Sequence, residues 1–548
     1  MQTVATISGT ELKKRLIADM LGRGILPSPD IFKEEEGLAK IREFLEQEDS
    51  DLSANTAPAV LNKDFIRIMQ GKPGHLNWKD IERFKVIEEK KKDSKPYRSS
   101  ISSLAAVERP GLEGDKATGD TKTTGDIGND RAGVKVLFNY DKIAQKKTIQ
   151  DFVKYYNARY KAIESMLSSR QELSGLTSAA RILAKREREN VSLIGLVKEK
   201  TITPKGHVIM ALEDPTSEIK VMVSKSKQDM IELAKDIVVD EVIGVTGVSG
   251  DGIVYCSKIV LPEIPAHKEL KKCPDEIYAL FLSDLHIGSD TFLKSEFEKF
   301  LKWINGEIGS PAQLEIIKKI KYIFIAGDLV DGVGIYPGQE SELLIKDIYE
   351  QYEVCAKLLS RIPKDIQIIV CAGNHDGSRL SEPQLPLSRD FIRPLLEIPN
   401  LTMLSNPSIV NIAATEDFPG FDVLLYHGYS FDYYVANVDS IRNSGGYDRA
   451  DLIMKFLLQR RHLAPSNNST LHEPDTEFDP LVIGRVPDFF VSGHIHKVAV
   501  SSYRGVSLIC GSCWQSTTSF QLKMGHHPEP ARVPIVNLQT RETKILRF

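Results

Sequence analysis

The sequence predicts an α/β protein in three folded parts: a small all-α N-terminal domain, a small β-barrel, and a large domain of buried β-structure flanked by helices. Three observations predict it. From about residue 274 onward, short apolar runs alternate with amphipathic helical stretches, the pattern of crossover units on a buried sheet. Residues 189–265 instead carry five short strand-like runs and one helical run, separated by turn residues. Ahead of both, residues 1–75 show only helical stripes.

Residues 1–75 read as a small helical domain. Leu12, Leu16, Met20 and Leu21 share one helical face, and Leu38, Ile41 and Leu45 share another. Pro27 and Pro29 break the chain between them. Residues 76–133 read as a charged helix, Trp78 to about Asp93, running into a disordered linker. From Ser94 this stretch is rich in Ser, Thr, Gly, Asp and Lys, and it has too few large apolar residues to offset ordering entropy. Residues 134–188 read as a helical connector, with Phe152, Tyr155, Tyr156, Tyr160, Ile163 and Met166 at helical spacings. Lys154, Arg159 and Lys161 interleave with these aromatics, but packing on a neighbour is a stronger reading than base stacking.

Residues 189–265 change period. Val191–Val197, His207–Leu212, Ile219–Val223 and Glu241–Gly247 read as four of the five strands, and Asp229–Lys235 as a helix. Three strands, a helix and two strands is the order of an OB-fold barrel. Glu213-Asp214-Pro215-Thr216 supplies the turn between the second and third strands. The segment lacks a rich aromatic platform, so a barrel that packs on its neighbour is as well supported as one that grips single-stranded nucleic acid. In residues 266–548, Phe297, Phe300, Leu301 and Ile304 line one helix face, and Tyr349, Tyr352, Ala356 and Leu359 line another. Strand patterning returns at 505–520 and 533–547.

Composition narrows the class. A chain of 548 residues, 41% hydrophobic and 27% charged, is a soluble globular protein of several domains. No apolar run is long enough to span a bilayer and the N-terminus lacks a signal-peptide core, so a cytoplasmic location with no membrane partner is expected. A net charge of −4 confines any DNA-binding surface to a local basic patch. Six cysteines in so long a chain are no disulfide framework. Cys510 and Cys513 read as two thiols near the core, with a reversible disulfide as the alternative.

The chemistry sits at five strand ends. Ile277–Leu282 leads into Asp284-Leu285-His286, Tyr322–Ile325 into Gly327-Asp328, and Ile366–Val370 into Gly373-Asn374-His375-Asp376. Val423–Tyr426 leads into His427-Gly428, and Phe489–Val491 into Gly493-His494-Ile495-His496. Ligands at the ends of such strands can converge in one crevice. Phosphodiester hydrolysis by two divalent ions needs a bridging carboxylate, neutral nitrogen and oxygen donors, and open positions for water and substrate. Asp328 suits the bridge. Asp284 and His286, two apart on an extended segment, can bind one ion together, and His494 and His496 can send one imidazole to each. Asn374 and His427 complete the set. Gly327, Gly373, Gly428 and Gly493 let the backbone approach closely. His375, beside Asn374, suits either an acid for the leaving 3′ oxygen or a group that steadies the phosphoryl transition state, with Asp376 able to orient its ring. Asp331 is read equally as a group supporting the ligands or as an ordinary loop cap. The remaining histidines, His75, His207, His267, His462, His472, His526 and His527, fall outside the pattern. A carboxylate, amide and imidazole set without thiolate suits manganese best, with iron and zinc as the alternatives.

At these residues the chain resembles the calcineurin-like metallophosphoesterase superfamily, whose pattern is D-x-H, G-D, G-N-H, H and G-H-x-H. Within it, residues 134–548 are similar to the small subunits of archaeal family D DNA polymerases, with further matches at Leu212–Thr216, His427–Asp432 and Trp514-Gln515. The resemblance implies a metallophosphoesterase β-sandwich flanked by helices, next to an OB domain. It also implies a 3′→5′ proofreading exonuclease that works beside a large catalytic polymerase subunit on single-stranded or mismatched primer-template DNA. A sliding clamp is carried as a further partner. By the same resemblance Asp284, His286, Asp328 and His496 hold one metal, Asp328, Asn374, His427 and His494 hold the other, and His375 is the catalytic acid. The related double-strand-break repair nuclease usually has histidine where this chain has Asp331, so no role is transferred to that position.

Two other readings compete: a catalytically silent scaffold for the large subunit, and a general metallophosphoesterase. The intact ligand set argues against the first. The barrel and the long tether, which small substrates do not need, argue against the second.

Overall fold

The computed structural model describes residues 25–27, 59–61, 133–143, 145–518, 521–522 and 526–548. The chain divides into two units, Met1–Asp120 and Thr121–Phe548. In the first, strands β1 (Ile25–Pro27) and β2 (Ala59–Leu61) pair in parallel. These six residues are extended, and the rest of 1–75, on which the all-α expectation rests, lies outside the described residues. A proline ends the first strand, and the residue before a proline is biased towards extended backbone. The helical stripes expected around them lie outside the described residues, as do the charged helix and linker of 76–133.

The second unit opens with β3 (Val134–Asn139), which was expected to be part of a helical connector and is instead an edge strand of the large domain. The helix Ile149–Ser168 follows, capped by Thr148 and Asp151 in a reciprocal capping box. Its Tyr155, Tyr160 and Ile163 are buried as their spacing predicts, but Phe152 faces solvent. A shorter helix, Ala179–Ala184, leads into the barrel.

The barrel comprises β4 (Asn190–Ile202), β5 (Val208–Glu213), β6 (Glu218–Val223), the helix Gln228–Asp236, β7 (Val242–Gly250) and β8 (Ile253–Val260). It closes in the order β4-β5-β6-β8-β7, with β7 returning to β4. The β5–β6 turn is held by Asp214, whose Oδ1 accepts the Thr216 and Ser217 N–H groups at 2.8 and 2.9 Å. Alternate residues of these strands fill the lumen, among them Val208, Met210, Leu212, Val221 and Val245.

The large domain stacks two six-stranded sheets. The first runs β12 (Leu401–Leu404), β11 (Gln367–Cys371), β10 (Ile320–Ala326), β9 (Tyr278–Leu282), β18 (Arg532–Asn537) and β19 (Thr543–Arg547). The second runs β16 (Ala499–Tyr503), β17 (Val506–Cys510), β15 (Phe489–Ser492), β14 (Phe421–Leu425), β13 (Ser408–Ile412) and β3. Period-2 alternation sends one set of side chains between the sheets and the other towards helices. Phe281, Phe324, Val423 and Phe489 meet in the middle, where Phe281 and Phe324 stack at 5.2 Å. Leu280, Ile323 and Ile368 pack outward on the helices Lys294–Ile304 and Ile348–Leu359. On the far side Leu424, Phe490 and Leu508 pack on the helix Ala450–Arg460. Strands buried on both faces read as continuous apolar runs, which is why they stand out in the sequence.

One buried ionic cluster ties the helix Ile149–Ser168 to this domain. Arg159, 1% exposed, reaches Asp479 at 2.7 Å, and His462 Nε2 donates to the same carboxylate oxygen at 2.8 Å. Burial alone would push the Asp479 carboxyl up, but His462 and Arg159 hold it far below the ordinary carboxylate range. Asp479→Ala leaves a buried guanidinium without its partner and should cost about 3–5 kcal/mol in chemical denaturation. Because the folded-state pKa is depressed, this stabilisation is complete above about pH 4 and fades as the pH falls further. A wild-type denaturation midpoint in Asp479→Ala at pH 7 would contradict it.

Candidate metal centre

Four parallel strand ends and the segment after β11 deliver the expected residues to one place. Asp284 and His286 follow β9, Asp328 follows β10, Asn374 and His375 follow β11, His427 follows β14, and His494 and His496 follow β15. Backbone hydrogen bonds splice these ends together. Asp284 N–H donates to the Gly327 carbonyl at 3.0 Å, His286 N–H to that of Asp328 at 3.1 Å, and Gly493 N–H to that of His427 at 2.8 Å.

The backbone here is strained. Asp284, His286, Asp328, His494 and His496 all have φ between 50° and 72°. Non-glycine residues in that region cost of order 1–3 kcal/mol each and persist where the surroundings enforce them. Asp284 and His286 therefore do not lie on an extended segment, and neither do His494 and His496. This corrects the two-residue-repeat argument, although each pair still faces the centre. Close approach explains two glycines. A Cβ on Gly373 would lie 2.2 Å from Asp328 Oδ1, and one on Gly327, at φ +84°, would lie 2.5 Å from His427 Nδ1.

The side chains form two connected groups. In one, Asp284, His286 and His496 bring ligand atoms within 4.8 Å of one another, with the two imidazole Nε2 atoms 3.0 Å apart. In the other, Asn374 Oδ1 lies 2.8 Å from His427 Nε2 and 3.0 Å from His494 Nδ1. Asp328 stands between them: its Oδ2 is 3.3 Å from His427 Nε2 and 3.8 Å from His286 Nε2. Its Oδ1 accepts the His375 N–H at 2.8 Å.

Electrostatics shows what this arrangement favours. Burial would lower the His286 and His427 pKa values, yet the surrounding carboxylates override it and raise them to about 9 and about 10. Asp331 dominates at His286 and Asp328 at His427. Burial raises the Asp284 carboxyl, whereas His427 and His375 hold Asp328 well below its usual range despite burial. Acceptor oxygens and imidazole nitrogens crowd together and draw in protons. Divalent cations would meet the same demand for positive charge with oxygen and nitrogen ligands and no thiolate, so the residues present fit a two-metal site.

Supporting contacts that the sequence left open are now visible. Asp331 is buried, and its Oδ1 takes the Nδ1 side of His286 at 2.9 Å while Gln339 and Gln515 donate to the carboxylate at 2.9 and 3.1 Å. It orients a ligand and caps no helix. Asp376 does not orient His375. Its carboxylate instead accepts the Gly373 and Leu329 N–H groups at 2.9 and 3.1 Å and the Tyr352 hydroxyl at 3.2 Å. It stitches together the segments after β10 and β11, because its side chain points back under the turn. His375 Nδ1 rests 2.8 Å from the Asp331 carbonyl. Gln339 and Gln521, the latter 2.9 Å from His496 Nδ1, carried no sequence signal, since a lone glutamine in a loop has no motif. Cys510 and Cys513 are buried free thiols that donate to separate backbone carbonyls, Gly493 and Gln515, so they form no disulfide. Among the remaining histidines, His462 and His472 are packed by the Arg159 cluster, away from this centre. His75 lies outside the described residues.

Comparison with known proteins identifies the family. The family model described as calcineurin-like phosphoesterase matches residues 277–498, which contain every expected ligand and His375. The chain is 41% identical over 389 residues to the DNA polymerase II small subunit of Methanothermobacter thermautotrophicus, covering 71% of this chain and 78% of that one. It is 39% identical over 389 residues to the protein of the same name from Archaeoglobus fulgidus, covering 71% and 75%. With the Pyrococcus furiosus small subunit the identity is 36% over 404 residues, covering 73% and 64%. Among the described residues no helix is long and apolar enough to cross a membrane.

Proposed function

The chain belongs to the family of archaeal DNA polymerase II (family D) small subunits, and from that premise we propose that it is the 3′→5′ proofreading exonuclease of a two-subunit replicative polymerase. Its phosphoesterase domain makes it a hydrolase subunit that partners a large catalytic chain. The observation that carries the finer reading is the placement of Asp328 between two groups of ligand atoms, His286 on one side and His427 on the other.

The two groups would hold two divalent cations, manganese in our reading, which would supply the charge that polarises the phosphodiester and activates the attacking water. The chain's own residues do the rest. Asp284, His286 and His496 hold one half of the site, Asn374, His427 and His494 hold the other, and Asp328 joins them. Asp331 keeps His286 turned so that Nε2 faces inward. His375, whose Nδ1–H is fixed on the Asp331 carbonyl, can hand an Nε2 proton to the departing 3′ oxygen once the ring is an imidazolium. The barrel order, three strands, a helix and two strands with β8 lying between β6 and β7, supports an OB-type domain beside the nuclease.

The scaffold reading has nothing in this site to recommend it, because a silent subunit needs no strained, converging ligand set. The test is digestion of 3′-mismatched and single-stranded DNA, labelled at the 5′ end, by the protein with and without the large subunit in manganese. Stepwise shortening from the 3′ end is expected, suppressed by chelator. No shortening in any divalent metal would overturn the assignment.

A further inference from the structure

We infer that Asp432 is the positioning residue that decides which nitrogen of His494 faces the metal centre. The inference rests on the two-metal reading and extends it to a residue outside the ligand set. Each of the other centre-facing histidines has its outer nitrogen Nδ1 engaged. His286 Nδ1 is held by Asp331, His427 Nδ1 by the Ala326 carbonyl at 2.7 Å, His375 Nδ1 by the Asp331 carbonyl, and His496 Nδ1 by Gln521. In His286, His427 and His496, Nε2 is the inner atom. His494 is reversed. Its Nδ1 faces Asn374 Oδ1 at 3.0 Å, and its Nε2 points out to Asp432 Oδ2 at 3.0 Å.

A carboxylate only accepts hydrogen bonds, so Asp432 requires the proton on His494 Nε2 and leaves Nδ1 as the lone-pair nitrogen. His494 sits at φ 72°, and its N–H is pinned by both oxygens of Asp284 at 3.1 and 3.0 Å. Asp432 stands at the start of the helix Phe431–Asn437, with its side chain half exposed, so the burial of the core does not explain its contact. It is steadied by the Tyr447 hydroxyl, and the Tyr447 ring packs on His526 at 4.3 Å. The path from the centre to the surface is thus His494, Asp432, Tyr447 and His526.

The experiment is manganese titration of the full-length chain by calorimetry, with 15N NMR of the histidine rings in metal-free protein. Asp432→Asn presents an amide that can donate to Nε2, which would place the proton on Nδ1. One of the two manganese equivalents should weaken by 10–100-fold, the His494 ring signals should report the other tautomer, and Asp432→Glu should recover most of the affinity. Two equivalents bound as tightly as in wild type by Asp432→Asn would overturn this inference alone. Failure of the wild-type chain to bind two equivalents would overturn the two-metal reading and this inference with it. An equal loss in Asp432→Glu and Asp432→Asn, with an unchanged His494 tautomer, would mark Asp432 as merely structural and overturn its positioning role.

Discussion

Asp328→Ala is expected to lower turnover on DNA by about 10³-fold or more and to reduce bound manganese from two equivalents to at most one. The magnitude follows from the position of the carboxylate. Its Oδ2 faces imidazoles of both ligand groups, and its Oδ1 holds the backbone of His375, so one substitution uncouples both half-sites and loosens the acid. Removing a single preorganised electrostatic group commonly costs about 10²–10³ in kcat, and Asp328 serves three such contacts. A pH signature accompanies the loss. His286 and His427 hold protons up to about 9 and about 10, so wild-type cation affinity climbs as the pH rises towards those values and protons leave. Without the Asp328 charge the His427 pKa falls, because Asp328 is the main group raising it, and the climb moves to lower pH. Calorimetry across pH 6–9 beside a single-turnover digestion assay measures both. Two equivalents bound with wild-type rates would end the bridging assignment.

Much of this centre was legible because each ligand follows a short apolar run. Phe281, Phe324 and Phe489 point between the sheets while Leu280, Ile323 and Phe490 point at helices, so the strands show as unbroken hydrophobic stretches that end abruptly in Asp, Asn or His. What could not be read was set by three-dimensional packing without a local pattern. β3 looks like the start of a helical connector, and only its pairing with β13, more than 250 residues away, makes it a strand. The left-handed backbone at Asp284 and His494 has no sequence mark: aspartate and histidine enter that region more readily than most side chains, yet most of either do not adopt it. Asp376 follows His375 in sequence and was credited with orienting it, yet the turn sends its carboxylate under β10. Adjacency in sequence is a poor guide inside a tight turn, where successive side chains diverge. Asp331, three residues past the bridge, could not be assigned from spacing, and burial against His286, Gln339 and Gln515 decides its role.

His375→Ala should spare both manganese equivalents while lowering kcat by about 10²–10⁴-fold. The ring touches the Asp331 carbonyl through Nδ1 and stands edge-on to His286 at 4.7 Å, and one of its nitrogens lies within 4.8 Å of ligand atoms of His286 and Asp331, so the manganese count in the variant is what separates acid from ligand. Burial and the nearby His286 push its pKa below the ordinary value, so the free protein holds it neutral near pH 7. An anionic phosphodiester beside Nε2 favours the imidazolium, which makes the proton available when the leaving oxygen needs it. The acid form is populated below its pKa in the complex and lost above it, so kcat falls as the pH rises through that value. In His375→Ala this alkaline decline should vanish along with most of the rate. A leaving group that needs no proton separates acid catalysis from simple positioning. On a p-nitrophenyl phosphodiester the variant should lose far less than on DNA, because p-nitrophenolate departs unaided. Equal losses on both substrates would make His375 a group that steadies the phosphoryl oxygens, and an undiminished rate on DNA would remove it from the mechanism.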